Sequence, residues 1–416
     1  MAALTPAAKP PEPPVDLTRW WSRLLAMAAV GAILAGAVHL LASTVSDPRP
    51  LALAATDLWL FGGLAVWLYL TAAAVVSISH RRPMPRCSRV LALMAALAVG
   101  ALMLGAADRW PEVAWLGRLG WLIEAAVGVG AVLSVWLTDV PQPAAHDQHD
   151  DLLIPGFRLG AAEEQSDRLA RAMLIVGQID LMVGSFFAIR NGASLWPIHA
   201  AFVLLWWGWA VSIAMGAVVF LLPRVTGRHL ALDRALIGGF VLWQVGVWAG
   251  FLFGPLLLWV GTAGGLLVIG AMMRALPGAF RPRPHIVGSR RLGMGLGLGR
   301  LLVGGLCALA VAAVAMPWQV TPEMAAAWAS GGTSAVVLAF LVHMSSARYG
   351  QQPASNWLMT GAALVACGLL LVPWAPWTEA LGGALTVVGG LITLWVLGHS
   401  GRDGVELKAV SQGNGA

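Results

Sequence analysis

The sequence predicts an all-α integral membrane protein of twelve transmembrane helices, and three observations carry that reading. The 416 residues are 58% hydrophobic and only 11% charged, with a mean hydropathy of +0.76. A soluble domain carries roughly 25% charged residues. Apolar runs of about 20 residues recur between short polar joints, and each can cross a ~30 Å hydrocarbon core at ~1.5 Å per residue. The basic residues collect in alternate joints, as the positive-inside rule demands of a polytopic chain. A soluble enzyme, a nucleic-acid-binding domain and a disulfide scaffold are excluded. So is a β-barrel, because the runs are continuous and do not alternate with period two.

The elements follow in order. Residues 1–19 are Pro-rich and lack both a strong basic n-region and a small-residue cleavage site, so they read as a disordered tail and not as a signal peptide. Apolar runs at 20–43, 54–78, 88–107 and 113–138 make a first four-helix unit, residues 20–139. The segment 140–168 is the one long polar insert and reads as a linker. Runs at 169–189, 196–222, 232–252 and 255–275 make a second unit, residues 169–275. A basic loop, 276–295, leads to a third unit, 296–398, with runs at 296–316, 324–346, 356–374 and 377–398. Residues 399–416 are read as a polar tail.

Orientation comes from Lys and Arg. With both ends in the cytoplasm, only Arg49, Arg109, Arg118 and Arg190 of the 26 basic residues lie on the outer side. The segment RRPMPRCSR and the stretch Arg281–Arg291 carry much of that bias. The location is therefore the inner (cytoplasmic) membrane, and the first partner is lipid. Cys87, Cys307 and Cys367 are single, form no CxxC pair and read as buried thiols.

An ionisable group at the centre of a membrane helix costs at least ~2.5–3.5 kcal/mol, which makes each one a site candidate. These are His39, Asp57, Glu124, Asp180, His199 and His343, with Gln178 and Gln244 as neutral companions. Asp57 is also explained as an N-terminal residue favoured by the helix dipole. His343 reads as a snorkelling or hydrogen-bonding residue. Glu124 and Asp180 fall near mid-membrane; they satisfy free backbone groups, pair with each other across the bundle or, with Asp57, belong to a proton path. His39 and His199 share one depth near the outer face, where two imidazoles serve structure, a metal ion or a haem iron. The tract His146–Asp151 reads as a solvated acidic loop, and Gly293–Gly299 as a close-packing stretch. With no Walker motif, HExxH or serine elbow, hydrolysis and ATP coupling have no support.

The sixth run reads IHAAFVLLWWGWAVSIAMGAVVFLLPRVTGR, with His199 at its start, Gly208-Trp209 and Gly216 along it, and Pro223-Arg224 and Gly227 at its close. This resembles the second helix of the repeating unit in haem-copper oxidase subunit I and its NnrS-type relatives. The resemblance implies twelve helices in three pseudo-repeated four-helix units. It also implies a haem or metal held by His199 and His39, with Trp209 among the tryptophans walling it, and respiratory or denitrification partners linked to nitric oxide. Helices 2, 6 and 10 would then run alike, with Gly62-Gly63, Gly208 and Gly331-Gly332 in corresponding places. The chain departs from the family in its ligands. Helix 2 has no histidine, helix 7 has Trp243, Gln244 and Trp248 in place of a histidine pair, and helix 10 has only His343. A complete oxygen- or nitric-oxide-reducing centre cannot be assembled from these residues, so enzymatic activity stays open. Two other readings stand beside the haem protein: a transporter or channel lined by Glu124, Asp180 and Gln244, and a cofactor-free assembly subunit.

Overall fold

A computed structural model describes residues 17–45, 49–64, 68, 87–136, 161–191, 203–226, 234–279, 289–315, 317, 322–346, 352–372 and 376–413. Among these residues the regular structure is entirely helical. The helices are α1 (Leu17–Ala42), α2 (Arg49–Asp57), α3 (Cys87–Arg109), α4 (Trp115–Trp136), α5 (Ala161–Asn191), α6 (Ser212–Thr226), α7 (Arg234–Phe253), α8 (Leu258–Ala279), α9 (Ser289–Ala315), α10 (Pro322–Ser346), α11 (Gln352–Leu371) and α12 (Pro376–Gly413). α2 runs on into a π-helical segment, Leu58–Leu64, and α6 is entered through another, Val203–Val211. Short 3-10 turns, Pro111–Val113 and Pro255–Leu257, lead into α4 and α8.

Six described helices are long and apolar enough to cross a membrane: Ser22–Ala42, Ser166–Arg190, Val203–Phe220, Arg234–Phe253, Leu258–Leu276 and Trp377–His399. Ala95–Ala107, Gly299–Ala315, Ala329–Val342 and Asn356–Leu371 are shorter apolar helices. The protein is a helical membrane protein.

The helix edges depart from the sequence reading where polar residues continue a helix. Residues 161–168, assigned to the linker, are the first turns of α5, and α12 continues through 399–413, assigned to the tail. The loop 276–295 likewise gives up its ends to α8 and α9. Backbone hydrogen bonding carries a helix past the end of its apolar run, so hydropathy marks the buried length and not the helical length. The thiol reading is corrected as well: Cys307 and Cys367 are exposed on outward helix faces. Cysteine is apolar enough to sit there.

Consecutive helices pack side by side, and α12 closes back on α1. α10 reaches inward to α1, to α6 and to its π segment. All of Val203–Phe220 is buried, whereas the other five long spans bury half their residues or fewer. Residues 329–342 of α10 are buried throughout as well. Trp59, in the π segment after α2, is buried and donates its indole N–H to Ser334 Oγ on α10 at 3.0 Å. These three elements therefore form the middle, and the remaining helices form a rim. Rim helices present apolar stripes outward at helical spacing, such as Ile175, Ile179, Met182 and Phe186 on α5 and Ile237, Val241 and Val245 on α7. Lipid is the medium that such stripes suit.

Glycines set the distances between helices. Without a hydrophobic force between helices in lipid, association depends on close packing, and small residues permit it. A β-carbon on Gly120 would lie 2.9 Å from Gly100 O, joining α4 to α3; one on Gly264 would lie 2.6 Å from Gly239 O, joining α8 to α7. Gly382 meets Gly368 O at 2.5 Å between α12 and α11, and Gly36 meets Gly383 O at 2.7 Å between α1 and α12. In α12 the adjacent glycines divide the work. Gly382 and Gly389 face α11, while Gly383 and Gly390 face α1.

Adjacent glycines on α8 give a direct test. Gly264→Ala places a methyl group against the α7 backbone at Trp243 N and Gly239 O, whereas a β-carbon on Gly265 meets nothing within 4 Å. Gly264→Ala should destabilise by about 1–3 kcal/mol, the usual range for overpacking. Gly265→Ala should be neutral or stabilising. Thermal unfolding of the two variants in detergent decides it, and equal melting temperatures would refute the packing described.

Candidate functional site

Asp180 lies on α5 and is fully buried against the π segment of Val203–Val211. Gly177 and Gly184 flank it on the same helix face, and their close contacts are Trp209 O and Ile213, and Leu204 and Leu205, respectively. These glycines bring α5 onto the segment, and Gly208 makes room for the carboxyl. A β-carbon at Gly208 would stand 2.7 Å from Asp180 Cγ. A π segment opens the regular hydrogen-bond ladder by one residue, a form that recurs at functional sites.

The polar surroundings come from α7. Gln244 and Trp248 are one turn apart there, so both face the same way. Both stand near enough to the Asp180 carboxyl to bear on its charge, and neither makes a hydrogen bond to it. Gln244 Nε2 donates to Ser212 Oγ at 2.7 Å. Gln244 Oε1 is buried with no donor among the described residues. The amide orientation rests on such contacts. α5 and α7 thus meet at one buried carboxyl, with an amide and an indole near it, and Ser212 in the first turn of α6 holds that amide. Gln178 points elsewhere, its Nε2 buried without an acceptor among the described residues.

Glu124, on α4, is also fully buried. Its carboxyl lies over Gly100 of α3, where a β-carbon would stand 3.3 Å from Glu124 Cδ and 3.4 Å from Gly120 O. α4 packs on α3 on one side and α5 on the other, so the two buried carboxylates sit on neighbouring helices.

His39 stands in the last turn of α1 and is buried. Its Nδ1 lies 3.2 Å from Oε1 of Glu379, a buried residue in the first turn of α12 and 340 positions further along the chain. Sequence reasoning missed Glu379, because it stands two residues after Trp377 at a helix start, where a carboxylate suits the dipole. The missed signal is its partner: an acidic residue at the start of one run and a histidine at the end of another share a membrane level.

The remaining sequence candidates divide by what is described. His199 lies outside the described residues, as does the tract His146–Asp151. Asp57 ends α2 and His343 lies in α10, but their side chains are outside the described ones. Trp209 is fully buried in the π segment.

A haem finds little to hold it among the described residues. No group of three or more His, Cys, Asp or Glu side chains is placed there to bind a metal ion. The tryptophans that would wall a cofactor are packed against protein. Trp207 meets Trp243 edge-on at 6.3 Å between ring centroids, and Phe240 meets Trp243 at 6.2 Å. These rings pack edge to face on one another as an aromatic cluster. What fits a metal is narrower, a single imidazole whose ring is fixed by a carboxylate. No family model matches the sequence, and neither a curated protein nor a solved structure matches the chain.

The His39–Glu379 contact predicts a thermodynamic coupling. Each of His39→Ala and Glu379→Ala should cost about 1–3 kcal/mol, because either leaves a buried polar partner behind. The double variant should cost less than the sum by at least ~0.5 kcal/mol. Strict additivity in a denaturation cycle would show that the two side chains do not interact.

Proposed function

We propose that this protein is a twelve-span membrane protein of three like four-helix units that transfers protons, with Asp180 as the acceptor. The observation that carries the function is a fully buried carboxyl at a π-helical break, faced by Gln244 and Trp248. A carboxyl in that position is costly, and a role in packing alone does not repay the cost. The loss of hydration is offset by a proton or by a donor.

The three-unit arrangement is supported by the hairpins. α4, α8 and α12 follow the same pattern, Pro111-x3-Trp115-x4-Gly120, Pro255-x3-Trp259-x4-Gly264 and Pro373-x3-Trp377-x4-Gly382. The glycine of each meets a glycine carbonyl on the preceding helix, at Gly100, Gly239 and Gly368. The π segments fall in the second and sixth runs, which occupy corresponding places in the first two units. All three units have the same sense along the chain. That favours the oxidase-like, NnrS-type arrangement over the inverted halves of many transporters. With both termini in the cytoplasm, the protein sits in the inner membrane.

A second reading keeps the family's metal chemistry in reduced form, linked to nitric oxide or respiratory metabolism. Its support is Glu379, since a carboxylate on Nδ1 is the usual way a metal-ligating imidazole is oriented. His39 would hold the ion with His199 and supply an ordinary imidazole ligand. An absorption spectrum of the purified protein tests it. A Soret band lost in His39→Ala or His199→Ala supports haem, and a colourless, metal-free preparation removes the reading.

Proton transfer is tested in liposomes containing a pH-sensitive dye, under an imposed potential. Asp180→Asn keeps the shape and hydrogen-bonding capacity, so it should abolish dye response with little change in melting temperature. Asp180→Leu should impair folding as well. Flux from the wild type no greater than from empty liposomes, or full flux from Asp180→Asn, would overturn the proposal.

A further inference from the structure

We infer that the middle of the molecule binds ordered water on one face of α10, at Ser330, Thr333 and Ser334, and that this water feeds protons towards Asp180. The second half rests on the proton-transfer reading; the first rests on the hydroxyls alone. All three residues are buried, in the stretch of α10 that is enclosed throughout. Their spacing of three and four residues puts them on one side of the helix, with β-carbons about 5–6 Å apart. Other sides of α10 are taken by its neighbours in the chain. A β-carbon on Gly332 would meet Gly305 O of α9 at 2.9 Å, and one on Gly331 would meet Ala366 O of α11 at 3.2 Å. Ser334 instead meets Trp59 of the π segment after α2. The hydroxyl face therefore belongs to the middle, where α10 touches α1, α6 and both π segments.

Two of these hydroxyls, Ser330 Oγ and Thr333 Oγ1, have no hydrogen-bond partner among the described residues. α12 shows how a buried hydroxyl is settled within a helix: Thr386 Oγ1 donates to Gly382 O at 2.8 Å and Thr393 Oγ1 to Gly389 O at 2.9 Å, each four residues back. Ser330 and Thr333 are as deeply buried and leave that bond unmade. A hydroxyl kept dry in such a place loses its hydration without return. One water between neighbours on this face meets two or three of them at once, close to the number of partners that a buried water takes. Ser334 accepts the Trp59 N–H and keeps its own proton to donate to the same water. Trp207 and Trp243 add buried indole N–H groups without an acceptor among the described residues. One lies in the π segment against Asp180 and the other beside Gln244. An indole N–H only donates, so it anchors water, whereas a hydroxyl both donates and accepts and can relay. Along such a file each oxygen takes one H⁺ from one side and releases one H⁺ to the other, and every group ends as it began.

The test uses the full chain in lipid nanodiscs and hydroxyl radicals made in place by an X-ray pulse. Radicals form from bound water as well as from bulk water and oxidise an indole beside them, and peptide mass mapping reads the product. Trp59, 1% exposed and bonded to Ser334, is the reporter. The wild type should show Trp59 oxidised despite its burial. The double variant Ser330→Ala, Thr333→Val should lose most of that oxidation and most of the proton flux in liposomes, with its melting temperature kept or raised. Thr333→Ser keeps a hydroxyl and should behave as the wild type. An unoxidised Trp59 in the wild type overturns the inference, and so does equal oxidation in the double variant. Loss of folding in Ser330→Ala and in Thr333→Val, each alone, also overturns it, because the hydroxyls would then be structural. Full flux in the double variant with none in Asp180→Asn refutes the supply route and leaves Asp180 standing. If the wild type conducts no protons, the transfer reading fails, and Trp59 oxidation still decides whether α10 binds water.

Discussion

Backbone carbonyls lying against glycine α-carbons are the contacts from which the rest of this molecule is assembled. Lipid offers no hydrophobic force to press one helix on another, so dispersion between closely approaching surfaces has to do it. That approach is possible only where no side chain intervenes. Gly100 and Gly120, Gly239 and Gly264, Gly368 and Gly382, and Gly36 and Gly383 remove the side chains at four crossings. Once the helices are this close, the large groups must go elsewhere, and they collect in the middle around Trp59, Trp206, Trp207 and Trp209.

The same economy of space explains the candidate sites. Asp180 is accommodated because Gly208 yields its volume, and Glu124 because Gly100 does. The π segment does more than make room. By shifting the helical register between its two ends, it lets Ser212 meet Gln244 while Trp209 and Gly208 stay against α5. A regular helix has one phase along its length and would have to choose.

Much of the fold was legible because hydropathy reports directly on which stretches avoid water. The runs 88–107, 232–252 and 324–346 fall within a few residues of α3, α7 and α10. Burial of Glu124 and Asp180 was legible for the same reason, since an isolated charge in an apolar run has to turn inward. What hydropathy does not encode is phase and partnership. Leu58–Leu64 and Val203–Val211 have the composition of ordinary helix, and nothing in their hydropathy marks the π form. Glu379 looked like a helix start, and only the fold brings it to His39. The hairpin pattern around Trp115, Trp259 and Trp377 was present in the letters, but tryptophan at a helix start is common at membrane interfaces and hides a repeat within a general preference.

The closure of α12 on α1 has a consequence for biogenesis. Helices are delivered to the membrane in the order of synthesis, and each of α2 to α11 can settle on a neighbour already present. α1 cannot finish, because Gly36 and His39 wait for a helix more than 300 residues away. Until then a small-residue groove and a buried-type imidazole face lipid, or whatever holds the nascent chain. The seam between first and last helix is thus the last surface to be completed, and a chain stopped short of α12 would display it openly. Quality control that recognises polar groups exposed within the bilayer would have a built-in signal of an unfinished product.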